Sequence, residues 1–263
     1  MRILPTLLVL ALLAAPAAAQ ARFAPETLSA ERPPAADDQW AFQITPYFWL
    51  FGIDGDIRAA SGQGPTVDVD ASPSDVLENL DYAGMVVARA RYGSFGVLAD
   101  ASFGQLSTEG DTEGPFFSGA DVEMDLLIST LAGTYRAWED GGSSVDLLAG
   151  ARIWDLETVI EFQPGIRPAR RVESDKSWVD PVVGATAELP LSGGFSIVAY
   201  GDIGGFGVGS DYTWQSYGGF GWQFSGVLAA HAGYRALFVD RDNDDLDVDA
   251  VLHGFLLGLE IRF

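Results

Sequence analysis

Two histidines, His231 and His253, limit the acid–base and nucleophilic chemistry open to this chain of 263 residues. Acyl hydrolysis by serine needs a histidine that accepts the serine proton and a third polar group that orients the ring. No Gly-x-Ser-x-Gly motif occurs in the sequence, and His231 is better explained as an interior hydrogen-bonding residue. His253 shares strand parity with Phe255 and Phe263, so it is predicted to face outward. We therefore expect no enzymatic activity.

An acidic run that begins at Asp240 has carboxylates at alternating positions, which is typical of calcium-binding loops. Asp240, Asp242 and Asp244 would supply its first ligands. The pattern is incomplete, because Asp245 occupies the sixth position, where glycine is needed, and Val251 occupies the twelfth, where glutamate is needed. We predict a solvated loop, with these three aspartates as a weak candidate for a divalent cation, and no cofactor.

Charged residues recur in the middle of segments that alternate between apolar and polar side chains. Successive side chains of a strand point to opposite faces, so the charged set shares the face opposite the apolar one. A charge that faces hydrocarbon is costly, so we predict that these residues face a barrel interior, as a paired network or as the wall of a wet channel. The predicted interior residues are Arg89, Arg91, Asp100, Glu123, Asp125, Asp146, Arg152, Asp180, Asp202, His231 and Arg235.

The segment that ends the chain shows this alternation most clearly. Phe255, Leu257, Leu259, Ile261 and Phe263 share one face, and small or polar residues occupy the other. A strand with one apolar face and an aromatic last residue is typical of a transmembrane β-barrel.

Similar segments divided by turn signals extend from residue 40 to residue 263. They predict an all-β fold, a transmembrane antiparallel up-and-down barrel of about twelve strands. The number depends on residues 53–71: a separate hairpin with a turn at 61–64 gives twelve strands, and its absence gives ten. Ser72 followed by Pro73 predicts one short loop helix near 73–80.

The two ends of the chain and its charge indicate a compartment. Residues 1–21 have the basic start, short apolar run and small residues of a secretory signal peptide, and residues 22–39 form a proline-rich periplasmic lead-in to a barrel domain at 40–263. A formal net charge of −22 excludes nucleic acid as a partner.

Several phrases resemble small outer-membrane β-barrel proteins of proteobacteria, a porin-like family without an assigned substrate. They are Thr45-Pro-Tyr-Phe-Trp-Leu-Phe-Gly52, Asp75-Val-Leu-Glu-Asn-Leu80, Gly201-Asp-Ile-Gly-Gly205 and Gly233-Tyr-Arg235. The resemblance implies residence in the Gram-negative outer membrane, contact with its lipid and lipopolysaccharide, and recognition of the strand ending at Phe263 by the barrel assembly machinery.

The sequence leaves three functions open. The first is a porin-like or structural role with a polar, charged lumen that passes small solutes or cations. The second is an outer-membrane lipid-modifying enzyme, and the third is a surface adhesin or interaction barrel.

Overall fold

The computed structural model describes residues 39–59, 66–110, 117–243 and 246–263. Its strands are β1 (Trp40–Ala59), β2 (Thr66–Ala71), β3 (Leu80–Tyr92), β4 (Phe95–Gly110), β5 (Phe117–Asp140), β6 (Ser143–Pro164), β7 (Arg170–Pro190), β8 (Phe195–Gly205), β9 (Tyr212–Gln223), β10 (Leu228–Arg241) and β11 (Leu246–Arg262). Helix α1 spans Pro73–Glu78, and a 3-10 turn spans Ser192–Gly194. Within the described ranges, no helix is long and apolar enough to cross a membrane.

The sheet closes on itself through its first and last strands. Antiparallel neighbours follow one another from β11 down to β3, β1 follows β3, and β11 pairs back onto β1. This seam continues to the last residue, because the Phe42 N–H donates to the Phe263 carbonyl at 2.9 Å and the Phe263 N–H donates to the Phe42 carbonyl at 3.1 Å. The result is an up-and-down barrel without a free edge between its first and last strands.

Within the described residues the barrel has ten strands, with β2 outside the closed ring, so the prediction of twelve strands is wrong and its alternative of ten is confirmed. Residues from Ile53 onward do not begin a new strand. They continue β1, which remains paired with β11 from Gln43 to Ala59. The reason is register: the pairing with β11 holds the chain straight where the sequence pattern suggested a new hairpin. The predicted turn at 61–64 lies outside the described residues.

The two ends of the barrel differ. The turn end carries the connections at 93–94, 141–142, 191–194 and 224–227 together with Phe263, and the loop end carries those at 165–169, 206–211 and 242–245. Exposed aromatic side chains surround the turn end, namely Trp40, Tyr92, Phe95, Tyr135, Trp138, Phe195, Trp222 and Phe263. Rings at this position are typical of the aromatic girdle at a membrane interface.

Helix α1 begins where the sequence predicted and ends two residues earlier, at Glu78. The Ser72 hydroxyl accepts from the Asp75 N–H and the Asp75 carboxylate accepts from the Ser72 N–H, which forms a capping box. Val76 is the buried residue of the helix. These local interactions explain why so short a segment is helical.

The β1–β3 notch is a gap in the barrel wall that α1 covers. β1 pairs with β3 only as far as Pro46, and with β2 only from Ile53 onward. In between, the Trp49 N–H donates to the Met85 sulfur at 3.3 Å instead of to a strand carbonyl. Proline at the last pair has no N–H to continue the ladder.

Residues 1–38 lie outside the described residues. The predicted signal peptide at 1–21 and nearly all of the lead-in at 22–39 therefore stay predictions.

Candidate functional site

Nine of the predicted interior side chains point into the barrel, where five are buried and four line an internal cavity. The buried ones are Asp100, Arg152, Asp180, Asp202 and Arg235. Those at the cavity are Arg89, Arg91, Asp146 and His231, and Asp100 and Arg235 also reach it.

Glu123 and Asp125 do not point inward, and this part of the interior prediction is wrong. The Asp125 carboxylate accepts from the exposed Tyr82 hydroxyl at 3.2 Å and from Gln105 Nε2 at 3.3 Å. Ile128, on the opposite face of β5, lies in the core. A barrel strand is expected to have an apolar outer face and a polar inner face. Towards the loop end β5 has the opposite arrangement, because the interior is apolar there and its polar face lies outside.

Arg152 is the largest fully buried side chain among the described residues. Its Nη2 lies 2.6 Å from the Asp202 carboxylate, and neither side chain has measurable exposure. Nη1 donates to the Thr213 hydroxyl at 3.1 Å, and Nε donates to the Thr130 hydroxyl at 3.3 Å. Every nitrogen of the guanidinium thus has a partner, as a charge removed from water requires.

Arg235 forms a second buried pair beside the first. Its Nη2 lies 3.0 Å from the Asp100 carboxylate and donates to Gln215 Oε1 at 2.8 Å, and its Nη1 donates to the Tyr47 hydroxyl at 2.6 Å. The guanidinium also lies over the Trp49 ring, 4.5 Å from its centroid. Gln215 joins the two pairs, since it also accepts from Arg152 at 3.4 Å.

Asp180 pairs with the β8–β9 connection and not with an arginine. It accepts from Trp154 Nε1 at 2.8 Å, from the Ser210 N–H at 2.6 Å and from the Ser210 hydroxyl at 2.8 Å. Ser210 lies in the β8–β9 connection and is fully buried. This connection therefore folds inward over the loop end of the barrel.

An apolar layer fills the interior between the charged pairs and the loop end. Trp154 stacks on Trp178 with their ring centroids 5.4 Å apart. The layer consists of Trp49, Ile128, Trp154, Leu237, Val239, Leu246, Val248, Ala250 and Leu252, each at most 7% exposed. Side chains that lined a water-filled channel would be accessible, so this half of the interior is dry. The sequence hints at this layer, because β10 and β11 are apolar on both faces near 237–239 and 250–252.

The turn half of the interior is hollow. The turn-end cavity has a volume of about 700 Å³ and is open at the turn end. Its floor and walls are formed by Tyr47, Arg89, Arg91, Leu98, Asp100, Val198, Tyr200, Tyr217, Arg235 and Leu256. The volume lies within the range of small-molecule sites, roughly 300–1,000 Å³.

Carboxylates at the turn-end cavity are already engaged. Arg136 contacts both Asp146 and Glu139. Arg262 contacts Glu260 and lies 4.0 Å from Glu188. With Asp100 bound to Arg235, each of these acids has a cationic partner.

His231 is held by Glu260, with 3.1 Å between Nε2 and Oε2. Its other side faces Gly221, where an added Cβ would stand 3.3 Å from His231 Nδ1 and 2.6 Å from the Ser196 hydroxyl. Ser196, His231 and Glu260 therefore follow one another across neighbouring strands. No motif in the sequence indicates this order, because the three residues belong to three different strands.

His253 faces outward, as its parity predicted. Its Nδ1 lies 2.5 Å from the Tyr234 hydroxyl and its Nε2 lies 2.6 Å from the Asp54 carboxylate. These contacts tie β10, β11 and β1 together on the outer wall.

The weak metal candidate is not assembled in the part of the chain that the structure describes. No group of three or more histidine, aspartate or glutamate side chains there is arranged to hold a metal ion. Asp240 and Asp242 lie on and just after β10, and Asp244 lies outside the described residues.

The barrel resembles solved structures of outer-membrane proteins. It matches the outer membrane protease OmpT from Escherichia coli with a TM-score of 0.50 and 9% identity, over 87% of this chain and 98% of OmpT. The translocator domain of the autotransporter NalP from Neisseria meningitidis matches with a TM-score of 0.37 and 11% identity, over 87% and 90%. The attachment invasion locus protein Ail of Yersinia pestis matches with 0.34 and 13%, over 86% and 99%.

The structural neighbours are outer-membrane β-barrels of Gram-negative bacteria. No family model matches the chain, and none of the curated proteins does. At 9% identity the likeness to OmpT concerns the fold alone. The chain therefore has the fold of an outer-membrane β-barrel.

Proposed function

We propose that this protein spans the Gram-negative outer membrane as a barrel whose interior is closed by its own side chains, and that its role is structural or ligand-binding without steady conduction. The exposed apolar face of β11, from Phe255 to Phe263, supports a lipid contact, and so does the girdle of aromatic side chains around the turn end. With this placement, the turn end faces the periplasm.

The apolar layer carries this proposal. Ten-stranded barrels are narrow enough for side chains to fill them, whereas wide porins hold a continuous column of water. Here Trp49, Trp154 and Leu237 occupy the loop half and are between 0% and 3% exposed. Directly beneath them, the Arg152–Asp202 and Arg235–Asp100 pairs close the cross-section.

Conductance in planar bilayers tests the proposal. The wild type is expected to give no steady channels. A Trp154→Ala, Leu237→Ala double variant removes side chains from the apolar layer and is expected to conduct. Leu257→Ala, which shortens an outward side chain, is the matched control and should remain silent. Stable wild-type channels of porin size would show that the interior is not closed.

Assembly through the last strand is part of the same proposal. Phe263 closes the seam with Phe42, and their rings stack with 6.1 Å between centroids. Deleting Phe263 should lower the amount of heat-modifiable barrel in outer-membrane fractions, whereas Phe195→Ala, an aromatic change away from the seam, should not. Normal insertion of the deletion variant would argue against recognition at this end.

We propose that the barrel has no catalytic role, and one observation favours the opposite view. Ser196, His231 and Glu260 stand in the order that serine hydrolysis of a lipid ester uses. A fluorophosphonate followed by intact-mass measurement decides between them. No adduct is expected, and an adduct that Ser196→Ala abolishes and Ser144→Ala retains would establish the lipid-modifying enzyme.

A further inference from the structure

We propose that the turn-end cavity binds a small organic anion with an apolar body, and that Arg89 and Arg91 hold its charged group. The site differs from the closed interior above it. A barrel found to conduct would not overturn this inference, and a cavity that binds nothing would leave the closed interior standing.

Arg89 and Arg91 are cations of this cavity that lack a carboxylate. Among the described residues, no carboxylate lies within 4.0 Å of either guanidinium, in contrast to Arg136, Arg235 and Arg262. Arg91 donates to the Gly93 carbonyl at 3.1 Å, which leaves its other nitrogens for a ligand. The chain has 37 acidic and 15 basic residues, so most arginines are expected to have an acidic partner. Two neighbouring inward arginines without one are therefore unusual.

The carboxylates that line the cavity are held by other cations and do not contact Arg89 or Arg91. Each acid that lines the cavity is engaged by Arg136, Arg235, Arg262 or His231. The five arginines and five carboxylates of the lining balance in formal charge, but three of the arginines hold all five acids. The guanidiniums of Arg89 and Arg91 therefore keep donors for a ligand in a partly apolar wall, where electrostatic attraction is stronger than in bulk water. An arginine fork suits the planar geometry of a carboxylate.

A free hydroxyl faces the same region. The Tyr217 hydroxyl is buried and has no hydrogen-bond partner in the described part of the chain. Tyr217 also lines the cavity, close enough to Arg89 for the two groups to interact electrostatically. A buried donor without a partner is costly, and a bound anion would supply the missing acceptor.

The rest of the wall is apolar. Val87, Leu98, Val198 and Leu256 line the cavity away from the arginines. A cavity of about 700 Å³ is far larger than an inorganic ion needs. The chemistry therefore fits a carboxylate attached to a hydrocarbon or aromatic body, and the open turn end gives it a route from the periplasm.

Calorimetric titration of the folded barrel in amphipol with octanoate tests the proposal. Saturable binding of octanoate is expected, with no saturable binding of octyltrimethylammonium or inorganic phosphate. Arg89→Gln and Arg91→Gln should each weaken octanoate binding roughly tenfold. Arg171→Gln, at an exposed arginine of the loop end, is the matched control and should leave the affinity unchanged.

Val198→Trp supplies an independent test, because it fills the cavity without touching the arginines. It should abolish octanoate binding while heat modifiability shows a folded barrel. Equal binding of the cationic analogue, an unchanged affinity in both arginine variants, or full binding by Val198→Trp would each overturn the proposal, and so would the absence of saturable octanoate binding at millimolar concentration.

Discussion

At the scale of single residues, Arg152 shows what a buried charge requires in a narrow barrel. Its cost of leaving water is offset only because Asp202 and two threonine hydroxyls surround it. Loss of either partner costs more than the attraction between them, since the remaining side chain would be a buried, uncompensated charge.

Arg152→Ala should therefore lower the free energy of unfolding by about 3–5 kcal/mol, because it leaves Asp202 without its cation. Urea unfolding followed by tryptophan fluorescence measures the change. Arg171→Ala removes two ion pairs that are more than half exposed, with Glu161 and Glu173, and should leave the free energy of unfolding nearly unchanged. A loss at Arg152 as small as that at Arg171 would show that the interior is hydrated.

A row of carboxylates behaves differently on the outer face near the loop end. Asp249 stands opposite Asp56 on β1 and opposite Asp240 on β10. Burial, and then the neighbouring carboxylate of Asp249, raise the pKa of Asp240. Asp240 is the second-last residue of β10, at the end of the strand near the loops and beyond the aromatic rings of Tyr212 and Phe238.

Asp249→Asn should stabilise the barrel at pH 7 by roughly 0.5–1 kcal/mol, because it removes two like-charged cross-strand pairs. A raised pKa in the folded state means that the carboxylate lowers stability above that pKa and ceases to do so as the pH falls through it. The gain should therefore disappear near pH 3. Asp140→Asn, opposite Ser143, is the control; an equal gain there would point to net charge alone.

At the scale of elements, strand parity predicted most inward and outward faces, because the side chains of an alternating segment have only two faces to occupy. Parity placed Arg152, Asp202, Arg235 and Asp100 in the interior, but it did not indicate which of them pair. β5 could not be assigned in the same way, since it is 24 residues long and the polarity of its two faces changes along its length. The predicted number of strands was wrong because β1 continues without a break where its neighbour changes from β3 to β2.

Helix α1 is the element that seals the β1–β3 notch. Val76→Asp places a charge against Met85 and the core behind it, and should lift the helix from the wall. The chain has no cysteine, so a single Met85→Cys reports on the gap. A lipid-soluble maleimide should react faster in the Val76→Asp background than in wild type, and Leu77→Asp, on the more exposed side, should have less effect. Equal rates would mean that the wall stays closed without α1.

At the scale of the whole molecule, the two ends determine orientation. Cysteine at Val208, 73% exposed, or at Asn243 should react with an impermeant maleimide on intact cells, because both lie at the loop end. Cysteine at Ser94 or Ser192 should react only after lysis. Cysteine at Ser210 should remain silent in both conditions, since Asp180 holds that position inside the barrel. Reversed labelling of the two ends would place the turn-end cavity at the cell surface.

The divided pairing of β1 has a consequence for the order in which the chain is completed. Its contacts with β2 are local, so that hairpin can form early, whereas its contacts with β11 join residues about 200 positions apart and carry the largest loop-closure entropy. β1 is thus among the last strands to complete its pairing, although it is made before the other strands of the barrel. Until β11 is added, β1 presents an open edge that would pair with any exposed strand. Cells that make this barrel must shield that edge for as long as synthesis of the remaining strands lasts.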